Sequence, residues 1–450
     1  MKEGGSCAKG AAQTNMKLTV KKEDMKNLNQ DLGILSMDAA NQIEMTLGNK
    51  VFSSEKIACQ ARITTANEQV ISLFYAQSSQ EEIVEESFCI SAKLYAGLVG
   101  TLLTYDKDIV LDTDSIKEEK VYLRVGKDVE IPMEVLSSEA KKEPIIMGKD
   151  EPVFLQVTVP TAAFKKAARG GGFANERNRD GLENAHVFLN VDTGEMSFYS
   201  SDQFIIGKTG MKVKLPEVNE KTKERLSVMD KALDAYCDKT KQTRQKILLL
   251  IPSKALANLQ KVVDGTEQFI LAADSKHVYV AAGNKVYTLT RGAVMMGLKE
   301  ICDSFGQASY PVAFSAPYEE LSQAVTSLAK IISLKALKNT AVRVTVEENG
   351  IKLAISGGDD SGVISVHGKT SGTGEIHLNA EKMERVLACL DQDKRILIRF
   401  GDEKQAVRVV NGNLSDPLAE NIVYAMPVKP PVSGTEEKEG DTEQADATEA

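Results

Sequence analysis

Tryptophan is absent from this chain of 450 residues, and all aromatics together reach only 5%. Its cores must therefore be packed from aliphatic side chains. Long apolar runs are missing too: none approaches the roughly 18 residues that a membrane-crossing helix needs. The opening "MKEGGSCAKGAAQTN" lacks the apolar centre of a secretory leader and reads as a disordered extension, residues 1–15, ahead of "MKLTV". The six cysteines (Cys7, Cys59, Cys89, Cys237, Cys302, Cys389) are scattered, with no CxxC pair. That argues against a zinc site or a disulfide framework and suits a reducing, cytoplasmic setting.

Signs of catalysis are equally scarce. His186, His277, His367 and His377 show no ligand spacing and no carboxylate partner motif. "GGG" at 170–172 lacks the Lys-Ser/Thr of a phosphate loop. "SGGDDSG" at 356–362 lies between the strand-like "IKLAIS" and "VISVHG", so it reads as a hairpin turn and not as a helix N-terminus that cradles phosphate. No Ser or Cys sits in a nucleophile elbow. The expectation is a non-catalytic protein without metal or cofactor.

Net charge is −9, of which the stretch 435–450 supplies −6 through seven acids and one lysine. Residues 431–450 read as an acidic disordered tail. The body is then only mildly acidic. This argues against a protein coated in nucleic acid, but does not exclude a local basic face.

What the chain does have is repetition. "SAKLYAGLV" at 91–99, "PSKALANLQ" at 252–260 and "AEKMERVLA" at 380–388 each put a lysine third and apolar residues on one helical face. Each is followed by three short β-branched strands bounded by Gly, Asp and Asn. A second helix family precedes each copy: "MKLTVKKEDMKNLNQDL" from Met16, "LQVTVPTAAFKKAARGG" from Leu155 and "YPVAFSAPYEELSQAVTSLAKII" from Tyr310. The fold class is therefore α+β: three tandem domains of two β-α-βββ halves each, at 16–150, 151–309 and 310–430. Two segments break the repeat. Residues 170–184 read as a Gly- and Arg-rich mobile loop, and 217–246 as a charged inserted helix.

This order resembles the bacterial DNA polymerase III β subunit, the sliding-clamp family, over about 16–430. The resemblance rests on "CISAKLYAGLVGTL", "LIPSKALANLQKVVD", "HVFLNVDTGEMSFYSSDQF" and the closing "IVYAMPVKP". The sequence departs from the family at Ser201-Asp202-Gln203-Phe204-Ile205-Ile206, where Thr-Asp-Gly-His-Arg-Leu is usual. No Pro-Asp-Tyr segment is visible around "RGAVMMGLKE". The resemblance implies a head-to-tail dimeric ring with helices lining the hole and sheets outside. Double-stranded DNA would pass through it without sequence preference. It further implies a DNA polymerase III catalytic subunit, a clamp loader and other clamp-binding-motif proteins as partners, and no membrane.

Candidate residues follow. Lys93, Lys254 and Lys382 hold equivalent places in the three copies. Lys26, Lys165, Lys166, Arg169, Lys330, Lys335, Lys338 and Arg385 lie on or near the candidate inner helices. Cations there would meet phosphates without reading bases. Arg177 and Arg179 join them from the Gly-rich loop, on the resemblance. The resemblance also implies a partner-peptide pocket from Leu189, Ser201, Phe204, Ile205, Ile206, Pro252 and Leu256 with Ala406, Tyr424, Ala425, Met426, Pro427 and Val428. Apolar anchors and an adaptable methionine suit such a pocket. Phe204-Ile205 in place of His-Arg would make it more apolar and remove a cation. For the subunit interface the positions are Val129 and Ile131, with Ile331 or Ile332 opposite. The alternative is a clamp-fold interaction module or decoy that binds clamp-binding peptides without encircling DNA.

Overall fold

The structure, a computed structural model, describes residues 16–429 apart from 38–39, 54–55, 79–84, 138–141, 172–182, 203, 293–296, 336–340, 357–361 and 415–416. The chain lays down six halves of one pattern: strand, helix, three strands. The first is β1 (Lys17–Val20), α1 (Lys22–Leu32), β2 (Gln42–Ser53), β3 (Lys56–Thr64) and β4 (Glu68–Ser78). The second is β5 (Glu86–Ser91), α2 (Ala92–Leu102), β6 (Ile109–Asp112), β7 (Lys120–Val125) and β8 (Val129–Glu134). The third is β9 (Leu155–Pro160), α3 (Thr161–Gly171), β10 (Asn184–Asn190), β11 (Glu195–Ser201) and β12 (Ile205–Lys212), followed by an extra helix, α4 (Lys223–Thr240). The fourth is β13 (Ile247–Pro252), α5 (Ser253–Val262), β14 (Gln268–Ala273), β15 (His277–Ala282) and β16 (Lys285–Thr290), followed by a second extra helix, α6 (Leu298–Gly306). The fifth is β17 (Val312–Pro317), α7 (Tyr318–Leu334), β18 (Ala341–Glu347), β19 (Gly350–Ile355) and β20 (Val363–His367), with a short β21 (Lys369–Ser371). The sixth is β22 (Gly374–Asn379), α8 (Ala380–Ala388), β23 (Arg395–Phe400), β24 (Val407–Gly412) and β25 (Pro417–Ala425).

Local chemistry explains the boundaries. Ser91 ends β5 and caps α2, its hydroxyl accepting the Leu94 N–H at 3.4 Å. Asn379 does the same for α8, accepting from Lys382 N at 3.1 Å. Such caps satisfy N–H groups that have no partner within the helix. In α8 the buried residues are Ala380, Met383, Val386 and Leu387, one stripe at helical spacing. In β7 alternate residues Val121, Leu123 and Val125 are buried, the period of a half-covered strand.

Contacts group the chain into two units. Unit 1 holds the described residues up to Ala168 and those of Glu176–Ser197 and Met211–Met295. Its large antiparallel sheet runs β8-β7-β6-β1-β4-β16-β15-β14-β9, with β3 on β4, β2 on β3 and β5 on β2. The first two repeats meet at β4. That strand takes β3 along its length, β16 through Glu68–Ser72 and β1 at Gln77 and Ser78. Asp31 of α1, 6% exposed, accepts from the Ser72 hydroxyl at 2.7 Å and from Lys285 Nζ at 3.0 Å, tying the join together. Buried Gln69 pins the connecting segment through both backbone groups of Ile145, each at 3.0 Å. In the same unit β10 and β13 pair antiparallel, Asn184↔Pro252 to Leu189↔Ile247.

Unit 2 holds the described residues of Arg169–Asn175, Phe198–Gly210 and Met296–Ala450. One sheet path runs β12-β25-β24-β23-β17-β21, and a second sheet runs β20-β19-β18-β22. One core joins them, with Leu321, Val325 and Leu328 of α7 and Met383, Val386 and Leu387 of α8 packed among buried strand residues. The strands flanking 356–362 pair as the hairpin reading requires, while the turn lies outside the described residues. Several strands pair on one side only, among them β8, at one end of the sheet of unit 1, and β20, at one end of the second sheet of unit 2. No described helix is long and apolar enough to cross a membrane.

The segment read as an inserted helix does form one, α4, and it is anchored. Leu233 and Tyr236 are buried, and the Tyr236 ring stacks on Phe154 at 4.0 Å between centroids. Arg291 lies over both rings, donating to Tyr236 Oη (2.7 Å), Leu248 O (2.9 Å) and Asp274 O (3.1 Å).

Candidate functional site

The cations expected to face DNA divide into three groups. Lys26 on α1, Lys93 on α2, Lys254 on α5, Lys330 on α7, Lys335 just past its end, and Arg169 on α3 are exposed. Lys165 and Lys166 are half-buried, and Lys165 is ion-paired with Asp264 of its own unit. Lys382 and Arg385 of α8 are committed to an anion. Asp202, whose side chain is 1% exposed, accepts from Lys382 Nζ at 2.8 Å and from Arg385 Nη1 at 2.7 Å. A buried carboxylate requires such pairing, because removing it from water without counter-charge costs several kcal/mol. The equivalent place in the three copies thus carries two exposed lysines, Lys93 and Lys254, and one tied to the fold, Lys382. Arg177, Arg179 and Lys338 lie outside the described residues.

Asp202 also organises the loop ahead of β12. Its Oδ1 accepts the N–H groups of Phe204 (3.0 Å) and Ile205 (2.8 Å), a turn closed by a side-chain carboxylate. Phe204 is left 48% exposed, with Lys382 Nζ 5.0 Å from its ring centroid. Its carbonyl accepts from Met426 N at 2.8 Å, and Val428 N donates to His377 O at 2.9 Å. Met426, Pro427 and Val428 therefore run beside Phe204 as a half-buried, backbone-anchored ribbon.

The remaining pocket positions of unit 2 are more buried. Ile205 is 0% exposed and belongs to the core, because strand alternation turns it inward once Phe204 points out. The expected exchange of Arg for Ile thus occurs inside the core, and α8 brings its own cation, Lys382, to the Phe204 ring. Ser201, Ile206, Ala406, Tyr424 and Ala425 are all buried. Ile206 and Tyr424 are directly opposed in the β12–β25 ladder, so they share a face.

Leu189, Pro252 and Leu256 belong to unit 1. Leu189 and Leu256 are buried, while Pro252 and Lys254 line a cleft of about 620 Å³ with Glu68, Asn258 and Arg291. Buried Tyr287 donates to Glu68, and Asn258 Nδ2 donates to the same carboxylate at 2.9 Å.

Of the interface positions, Val129 and Ile131 lie half-buried on the open edge strand β8. Ile331 and Ile332 lie on α7, packed at the margin of the unit 2 core near Ile364 of the open edge strand β20. No cluster of three or more His, Cys, Asp and Glu able to hold a metal occurs among the described residues.

Two features escaped the sequence reading. One is Asp202 as a buried counter-ion. The Ser-Asp dipeptide of the middle-domain motif was the signal, but its partners lie on α8, 180 residues away. The other is α6. Its Leu298, Cys302 and Phe305 carry helical spacing that a scan of "LKEICDSF" would have found.

No protein-family model matches the sequence, and no curated protein is similar to it at a significant level. Solved structures are similar over nearly the whole chain. The DNA polymerase III β subunit of Thermotoga maritima aligns at 15% identity and a TM-score of 0.69, covering 92% of this chain and 99% of that one. The DNA polymerase sliding clamp of Bacillus subtilis gives 14%, 0.70, 92% and 100%. That of Pseudomonas aeruginosa gives 12%, 0.71, 92% and 99%. Six helix-and-three-strand halves in this order, matched end to end, leave one architecture: the chain has the fold of the DNA polymerase III β-subunit sliding clamps.

Proposed function

We propose that this chain is a DNA sliding clamp, a processivity factor that encircles duplex DNA and holds a polymerase there. The observation that carries the reading is the whole-chain likeness: 92% of this chain covers 99–100% of three clamps, with all six halves present. In this reading residues 16–150, 151–309 and 310–430 are three clamp domains, and two chains make the ring. The open strands β8 and β20, with Val129 and Ile131 on one side and Ile331 and Ile332 beside the other, would meet in the partner copy. Pairing would also protect two edges that invite aggregation.

The mechanism is topological, with no chemistry of its own. A closed ring stays on circular DNA until it opens, while exposed Lys26, Lys93, Lys254 and Lys330 touch phosphates weakly enough to slide. Arg177, Arg179 and Lys338 are proposed to add to this lining. A DNA polymerase III catalytic subunit docks through a short peptide with apolar anchors at Phe204, Met426, Pro427 and Val428. Tethering raises its local concentration at the primer end, so modest peptide affinity suffices. A clamp loader and other clamp-binding-motif proteins use the same docking face, and the setting is the cytoplasm.

The test is retention on nicked circular DNA at high salt, with release when the DNA is cut, alongside solution mass by light scattering. A species near twice 48.9 kDa that is lost on linearisation is the expected result. A monomer that never survives high salt on circular DNA overturns encirclement. The Lys93→Glu, Lys254→Glu double variant should load less and show a salt slope shallower by about 2.

One observation favours the alternative, a clamp-fold interaction module that binds clamp-binding peptides without DNA. Lys165, Lys382 and Arg385 are held by Asp264 and Asp202, which weakens the basic lining. Peptide binding by a monomer without DNA retention would select it.

A further inference from the structure

Where the resemblance leads one to expect a Pro-Asp-Tyr segment, this chain builds α6. The helix is amphipathic: Leu298 and Cys302 are buried, 1% and 2% exposed, and Phe305 lies on the same side. Lys299 and Asp303 pair along it, and Ile301 stays at the surface. The face on which α6 rests belongs to β11, β12 and β25. Ile206 and Tyr424 stand opposite each other on it, and Lys208 places its ammonium 5.6 Å from the Tyr199 ring centroid.

The contact is specific. The Phe305 ring tilts onto Tyr424 with centroids 5.3 Å apart. A methyl group placed on Gly306 would sit 3.5 Å from the Tyr424 hydroxyl oxygen, so helix and ring are in close apposition. Tyr310 donates to Phe305 O at 2.7 Å, fixing the end of the helix. Tyr199 and Tyr424 are each 2% exposed, so the face is dry. Burial pushes the Cys302 thiol up to about 12, opposed by the charges of Lys208 and Lys299, and the Asp303 carboxylate bears on Tyr199 and Tyr424. Tyr424, which stands opposite Ile206 among the side chains that would line a partner pocket, is therefore covered by a helix of the same chain.

We propose that α6 is a built-in occupant of the partner-docking face, and that a partner segment binds by displacing it. The partner's chemistry is then written in α6: an aromatic ring to replace Phe305 on Tyr424, and a carboxylate close by in sequence to take the place of Asp303. The inference rests on the docking face proposed above. The uncovered face is the binding-competent state, so the apparent affinity falls by the fraction of molecules in which α6 is lifted. Exposed Phe204 and the ribbon Met426–Val428 remain open as the first point of contact.

The experiment uses the full chain with Cys7→Ser and Cys237→Ser, which leaves Cys59, Cys89, Cys302 and Cys389, all buried. The probe is a fluorescein-labelled hexapeptide carrying an aspartate and leucine and phenylalanine anchors. Two quantities are read: its affinity by anisotropy, and the rate at which Cys302 reacts with a maleimide, located by peptide mass mapping. Phe305→Ala is expected to bind the probe about 10-fold more tightly than its parent, and saturating probe is expected to speed Cys302 labelling in the parent at least 5-fold. Equal affinity with Cys302 protection unchanged by bound probe overturns the proposal while leaving the docking face standing. Weaker binding by Phe305→Ala, with Cys302 still protected in the probe complex, makes α6 part of the pocket wall and also overturns it. No probe binding by either protein, although Cys302 labels freely in Phe305→Ala, removes the docking face itself and the proposal with it. The labelling arm on the parent decides the matter even if Phe305→Ala folds poorly.

Discussion

Two helices stand outside the sixfold pattern, and they are held in opposite ways. In unit 1, α4 is bolted down by polar groups. Arg291 lays its guanidinium against the stacked rings of Phe154 and Tyr236 and reaches three backbone carbonyls and a phenol. Arg244 then ties Asp230 and Asp234 of α4 to its C-terminal connection, at 2.9 and 3.0 Å. In unit 2, α6 rests on its sheet through Leu298, Cys302 and a tilted ring pair. Directional contacts to buried carbonyls are lost together and at high cost. Apolar contact is lost in proportion to area and is replaceable by any apolar side chain of similar shape. The insertion at 223–240 is thus built to stay, and the one at 298–306 is built so that something else could take its place.

The strongest way to break that contrast is Arg291→Ala. It removes the donor to the Tyr236 hydroxyl and to three carbonyls and takes a cation away from the stacked ring pair. The expected loss is about 3 kcal/mol of unfolding free energy, read from urea midpoints at unchanged m-value. Hydrogen exchange should show α4 amides deprotected to near surface rates while α6 is unchanged. A loss under about 1 kcal/mol would mean that α4 is held by Leu233 and packing alone.

Asp202→Asn comes next, because it tests a polar lock inside unit 2. The amide keeps the turn at Phe204 but leaves two cations without their anion. Lys382 and Arg385 are partly exposed, so water recovers part of the difference, and about 2 kcal/mol is expected. The loop carrying Phe204 should loosen in the same exchange experiment. If stability is unchanged, the Asp202 cluster is a surface pair in all but name.

Phe305→Ala should cost less, about 1–2 kcal/mol, since the ring is only half-buried and its partner Tyr424 keeps other neighbours. The contrast sharpens if α6 amides exchange fast in this variant while the β12–β25 ladder stays protected. It breaks if the ladder opens too, for then α6 is a wall of unit 2 and no loose cover.

Much of this was legible in the sequence because it is written in short-range periods. The helix stripes of α2, α5 and α8, the alternation in β7 and the caps Ser91 and Asn379 depend on residues within a few places of each other. So the six halves could be read, and their order pointed to the clamp fold. What could not be read depends on what stands opposite. Lys382 occupies the same helical position as Lys93 and Lys254, but spacing fixes only the helix face, and Asp202 arrives there from 180 residues away. Ile205 looked like a pocket residue because a motif gives identity without direction, and the turn at Asp202 decides which of Phe204 and Ile205 points out. The spacing of Leu298, Cys302 and Phe305 made α6 itself legible, but not that its apolar side meets Tyr424.

The smallest expected effect is the most discriminating for α4. Arg244→Ala removes the ion pairs to Asp230 and Asp234, yet all three side chains are substantially exposed, at 37%, 62% and 65%. Pairs of this kind are worth about 0.5 kcal/mol, screened further by salt. The variant should therefore unfold within about 0.5 kcal/mol of the parent, with the difference vanishing at high salt. The last turn of α4 alone should exchange faster. If Arg244→Ala instead matches Arg291→Ala, the helix is held from its surface, and the Arg291 guanidinium against Phe154 and Tyr236 is a passenger. If it is silent while Arg291→Ala is severe, the anchoring of α4 lies in the interior, and its exposed face, with Val228 57% exposed, is free of structural duty.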